Sequence, residues 1–134
     1  MDNMWVFELE NKIFSILKYK GELALRSKYP NIYFTNSASN QGSPRFPTVY
    51  IHELGGVEIG QDLDNISINA VRETIQIEVT TNTTQREAKE VMATILGICK
   101  ELRFNINQMP EFRNGNTSYT SIARITRVFG DKEI

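Results

Sequence analysis

Few residues in this sequence could carry chemistry, and they stand apart from one another. His52 is the only histidine and Cys99 the only cysteine. A catalytic histidine needs a nucleophile or a paired acid within reach, and a metal site needs several ligands together. His52 instead lies between Tyr50 and Leu54 in a strand-like run, which favours a structural side chain. Cys99 falls in an apolar helical pattern, where a lone thiol acts as a small buried hydrophobe. A reactive thiolate wants an electropositive, partly exposed setting with a base nearby. One cysteine also excludes an internal disulfide.

Asp62, Asp64 and Asn65, within GQDLDN, resemble the opening of a calcium-binding loop, but the later glycine and the closing glutamate are missing at the required spacing. The segment reads as a solvated acidic loop. ELGGVEIGQ, residues 53–61, is glycine-bearing but leads into neither a helix start nor a lysine, so it is no phosphate cradle. No two carboxylates stand out as an acid and base pair. The expectation is a protein that is not an enzyme, with no catalytic residue, metal or cofactor.

Charge distribution is more informative. Residues 53–69 hold Glu53, Glu58, Asp62 and Asp64 with no Lys or Arg, whereas SYTSIARITRVF, residues 118–129, holds Arg124 and Arg127 with no acid. Their odd spacing puts the two arginines on opposite faces of a strand. Two readings stand open: charges guarding an edge strand against unwanted pairing, or arginines meeting acid on a neighbouring subunit.

These residues must be positioned by one domain. The chain has 134 residues, 40% hydrophobic and 23% charged, enough for a single real core. Its formal net charge of −1 provides no basic field to hold nucleic acid. MDNMWVFELENK lacks the basic and apolar regions of a signal peptide, and no apolar run approaches a membrane span. Without secretion, the sequons at Asn65, Asn82 and Asn116 are chance matches. The expected setting is a reducing cytosol or something assembled there.

Helical spacing predicts a helix over residues 5–28, with Leu9, Ile13, Ile16, Leu17 and Leu23 on the apolar face, a weak point at Gly21 and an end before Pro30. NIYFT, 31–35, is a short strand. Thr48 to Leu54 is a strand with no plainly polar face, hence central. From Ala70 to Thr80, Val71, Ile75, Ile77 and Val79 share one face with Glu73, and the other face is polar. Thr84 and Glu87 form a capping-box pattern, followed by a stripe of Ala88, Val91, Met92, Ile95, Leu96, Cys99 and Leu102 that is expected to pack on that strand. Phe104 to Phe112 is a strand whose Pro110 suggests an edge or a bulge. Asn-Gly in RNGN, 113–116, signals a hairpin, and Ser118 to Phe129 is the return strand. The predicted class is α+β: a mixed, mostly antiparallel sheet of four to five strands with two helices packed on one face.

Two stretches resist packing. Residues 36–45 hold only Ala38 as an apolar residue, and residues 55–69 form a second long loop in this reading. Long unstructured loops in compact domains are commonly functional. Arg45 and Phe46, at the end of the first, are residue types that anchor binding. The two loops read as arms for partners, against the plainer reading of loops without consequence.

The element order, the polar loop leading into FPTVYIHEL, the long alternating AVRETIQIEVTTNT, the capped helix and the closing SIARITRVFGD together resemble the tail terminator (tail completion) proteins of long-tailed bacteriophages and of prophages. The resemblance covers nearly the whole chain. It implies a structural virion protein, made in the host bacterial cytoplasm, that closes into a hexameric ring, caps the tail tube protein and presents a surface to the head–tail connector protein. DNA would only pass through its channel, where the acidic segment with Glu58, Asp62 and Asp64 would discourage sticking; no membrane is involved. Arg45, Phe46, Arg124 and Arg127 are then candidates for contacts between subunits or with the tube. Alternatives are a head–tail connector or stopper, a minor capsid component, or a small non-enzymatic binding module.

Overall fold

The computed structural model describes residues 3–37, 45–60 and 67–130. In chain order it contains α1 (Met4–Leu25), β1 (Tyr33–Thr35), β2 (Thr48–Ile59), β3 (Ala70–Thr81), α2 (Gln85–Glu101), β4 (Asn105–Asn114) and β5 (Tyr119–Gly130). The strands form one sheet in the order β1-β2-β3-β5-β4. Only the β1–β2 pair is parallel. The fold is therefore α+β with a mixed, mostly antiparallel sheet.

The period-two pattern of β3 determines which face is covered. Val71, Glu73, Ile75, Ile77, Val79 and Thr81 are all buried, while Arg72, Thr74, Gln76, Glu78 and Thr80 are not. On β5 the matching face brings in Ala123, Ile125 and Phe129. These side chains form one core with Leu9, Ile13 and Leu17 of α1 and Ala88, Val91, Met92, Ile95 and Cys99 of α2. Each fully buried large aliphatic side chain contributes roughly 1.5–3 kcal/mol over its exposed state, so this shared face dominates the stability. Phe104 and Phe129 meet edge to face at 5.7 Å where α2 leads into β4.

Local chemistry sets the helix ends. Thr84 Oγ1 accepts the Glu87 backbone N–H at 3.1 Å, and the Glu87 carboxylate accepts the hydroxyl of fully buried Thr81 at 2.5 Å. This ties the start of α2 to the end of β3. Beyond α1, Tyr29 donates its hydroxyl to Glu90 at 2.6 Å and Lys28 its ammonium at 2.8 Å. The Lys28 bond, then the Tyr29 bond, hold the Glu90 carboxyl down at about 2. Burial, reinforced by Glu90, pushes the Tyr29 phenol up to about 12.

Several expectations need correction. α1 ends at Leu25 and closes in a turn in which the Tyr29 N–H reaches the Leu25 carbonyl at 2.8 Å. It runs unbroken through Gly21, which is buried under the Phe34 ring; a Cβ there would meet that ring at 2.5 Å. The core row is Leu9, Ile13, Leu17, Gly21 and Leu25, so Leu23 lies outside it and is exposed. β2 does not stop at Leu54 but continues to Ile59. It is internal only over Thr48–Tyr50, where β1 pairs with it. β5 is not an edge, since β3 and β4 flank it. The edge is β4, as Pro110 suggests, and its pairing shifts twice, between Ile106 and Gln108 and between Gln108 and Glu111. The β4–β5 hairpin forms, with Asn114 paired to Tyr119 and the Gly115 N–H bonded to the Ser118 carbonyl at 2.8 Å.

Gly21→Ala gains about 1 kcal/mol of helix propensity but drives a methyl group into Phe34. Overpacking of this kind costs roughly 1–3 kcal/mol, so urea unfolding should find the variant less stable than the parent. A more stable variant would contradict the close approach of Phe34 to α1.

Candidate functional site

The face of the sheet away from the helices carries cross-strand rows set by the register. Thr48, Thr80 and Thr120 form one row; Tyr50, Glu78 and Ile122 the next; then His52, Gln76 and Arg124; and at the far end Val57, Arg72 and Val128. The middle rows are joined by polar contacts. Arg124 Nε donates to Gln76 Oε1 at 3.0 Å, and Gln76 Nε2 donates to Glu78 Oε2 at 3.2 Å. His52 stacks on Tyr50 with ring centroids 4.3 Å apart, and its Nε2 lies 3.5 Å from Glu78 Oε2 without hydrogen-bond geometry. His52 is thus a half-buried member of a structural network. At the far end Val57 (58% exposed) and Val128 (42% exposed) flank exposed Arg72, with Leu54 nearby in the alternation of Tyr50 and His52.

The sequence-derived candidates disperse. Arg124 lies on this uncovered face. Arg127 lies on the helix-covered face, where its Nη1 donates to the Leu102 carbonyl at 2.9 Å and its guanidinium sits 4.4 Å from the Phe129 ring centre. It caps the carbonyl end of α2, where a cation is favourable. Arg45 places its guanidinium 5.5 Å from the Tyr33 ring centre, and its carbonyl accepts the Thr48 hydroxyl. Phe46 borders a shallow hollow with Thr35, Tyr50 and Thr80. Together, Arg45 and Phe46 fix the end of the first loop on β1 and β2. Residues 38–44 of that loop, and Asp62 and Asp64 of the acidic segment, lie outside the described residues.

Glu58 belongs to β2, not to a loop, and opens onto a feature that sequence reasoning missed. Glu53 pairs with Ile75 and Gly56 with Glu73, so Leu54 and Gly55 together oppose Thr74 alone. This is a two-for-one bulge, and Gly55 permits it with φ of 113°. Past the bulge, Gly56 and Glu58 face the helix side, opposite Glu73 and Val71. A Cβ on Gly56 would meet Val71 Cγ1 at 2.8 Å and Glu73 Oε1 at 3.0 Å. The missing side chain is what gives Glu73 its room.

The result is a cavity of about 330 Å³ between the start of α1 and the end of the sheet, lined by Val6, Phe7, Glu10, Glu53, Gly56, Glu58, Ile68, Val71 and Glu73. Glu73 is 1% exposed. The Glu53 carboxyl is its electrostatic neighbour. Glu73 Oε2 has no hydrogen-bond partner. Burial, then the charge and hydrogen bond of Glu53 and the charge of Glu10, push Glu73 up to about 7. Burial also raises Glu53. The one signal in the sequence was Glu73 itself, an acid on the otherwise apolar face of β3.

Among the described residues no group of His, Cys, Asp or Glu is placed to hold a metal ion, and no helix is long and apolar enough to cross a membrane. Cys99 is buried in the core, and burial pushes its thiol up to about 12. Compared with known proteins, the chain matches no family model and no curated sequence.

Glu73 holds its proton more tightly in the folded chain than in the unfolded one. Stability from this group is therefore full below the ordinary carboxyl value of 4.5 and is lost as pH rises to about 7. Glu73→Gln should flatten that slope and leave the variant about 1–2 kcal/mol more stable relative to the parent near pH 8 than near pH 4. Urea unfolding at the two pH values reads this out, and identical slopes for parent and variant would contradict it.

Proposed function

We propose that this chain is a structural subunit of a long-tailed phage particle, a tail terminator-like protein. Copies of it close into a ring that caps the tail tube and meets the head-side connector. The observation that carries the reading is the uncovered face of the sheet. Both helices pack on the other face, so the Val57–Arg72–Val128 row and Leu54 are left as an apolar patch around a cation, beside a hydrogen-bonded network ending in Arg124. Apolar area with an arginine at its centre is the composition of an interface core. Joined to the family resemblance, it supports an assembly role.

A ring requires a heterologous contact, in which this patch meets a different surface of the next copy. The exposed residues Tyr19 and Leu23, one turn apart on α1, offer such a second surface on the opposite side of the molecule. The geometry also serves a head–tail connector or stopper subunit, which differs in what it docks onto.

Light scattering across a range of protein concentrations tests this reading. The expected result is a species of about six copies, the number implied by the resemblance, which Val57→Glu combined with Val128→Glu reduces to single folded subunits. Surface changes of this kind alter stability by about 0.5 kcal/mol or less. A parent chain that stays single at every concentration and binds a portal assembly would move the reading to the connector. One that stays single and binds no virion component would end it.

A further inference from the structure

The bulge-made cavity has no part in the proposed ring contact, and its chemistry points to a ligand. Val6, Phe7, Ile68 and Val71 give it apolar walls, and its polar lining side chains are all carboxylates. Glu10 comes from α1, Glu53 and Glu58 from β2, and Glu73 from β3. Opposite Glu73 in register stands Arg127 on β5, whose Nη1 donates to the Leu102 carbonyl. Glu73 Oε2 is an acceptor without a partner on a residue only 1% exposed. Leaving such an atom unsatisfied is costly, and Gly56 leaves clear the space beside the other carboxyl oxygen, Oε1.

We infer that this cavity is a socket for an organic cation, a guanidinium or ammonium group on an aliphatic stem, with the head against Glu53 and Glu73 and the stem against Val6, Phe7 and Val71. Acid at the base and hydrocarbon along the walls match the two ends of such a group. A guanidinium or ammonium donates only, and so complements the carboxyls of Glu53 and Glu73 that line the cavity. A bare metal ion fits less well, because the carboxylates are not gathered as ligands. Entry of the cation expels the proton that burial keeps on Glu73, so binding tightens as pH rises through about 7. The charge can come from a basic side chain of another copy or from a free amine; the chemistry is shared. The inference does not depend on the ring.

The probes are n-butylguanidinium and the neutral n-butylurea, titrated into the full chain carrying carbon-13-labelled glutamate side chains and followed by NMR. The expected result is saturable movement of the Glu73 and Glu53 carboxyl signals with the cation and none with the urea. Affinity should be about tenfold higher near pH 8 than near pH 6 and be lost in Glu73→Gln. Glu53→Gln, read at Glu73, provides the same test if the first variant does not fold. If butylguanidinium also lowers the mass of an assembled species, the natural cation is a neighbour's side chain; if the mass is unchanged, it is a free amine. Unmoved Glu73 and Glu53 signals at millimolar cation near pH 8, in a folded chain, would overturn the socket. That result would leave the ring reading intact, and loss of the ring reading by light scattering would leave the socket intact.

Discussion

The rest of the structure depends on one constraint: the covered face of β3 must be buried. Ile75, Ile77 and Val79 are at most 1% exposed, and no other element could hide them without the side chains that α1 and α2 provide. Because β3 is central, its alternation fixes the sense of both neighbours. A slip of one residue would turn every one of these side chains out to water. The anchors at the ends of the helices, Thr81 to Glu87 and Lys28 and Tyr29 to Glu90, hold the roof over that face.

Covering one face leaves the other uncovered. Its rows are satisfied internally by the Arg124–Gln76–Glu78 chain and by threonine pairs such as Thr74 with Thr126 at 3.1 Å. The far end, at Leu54, Val57 and Val128, presents bare hydrocarbon. The same end of the sheet carries the bulge, which bends β2 and turns Glu58 toward α1. One irregularity therefore shapes both the apolar patch on one side and the acidic cavity on the other.

Much of this was legible in the sequence where the signal is local. The alternation from Val71 to Val79, the Thr84–Glu87 cap and the stripe through Cys99 each fix an element on its own. Pro110 suggests an edge or a bulge, and β4 is an edge strand with irregular pairing. Misreadings arose where the answer depends on a distant partner. Gly55 and Gly56 read as the start of a loop, and only pairing with β3 makes them part of a bulge within a strand. Gly21 looks like a break, and only Phe34 shows it to be a contact. Arg124 and Arg127 were correctly put on opposite faces, but the interior position of β5 is a matter of strand order, which spacing does not encode. Glu73 was visible as an acid among apolar neighbours, whereas its meeting with Glu53 and Glu10 required the register of β2 and the placement of α1.

The uncovered sheet face is proposed to meet another chain. Methyl NMR with a soluble nitroxide measures this directly on the concentrated protein. The methyl groups of Leu54, Val57 and Val128 should be shielded from the nitroxide at high concentration and become accessible on dilution. Methyl signals equally broadened by the nitroxide at both concentrations would contradict it.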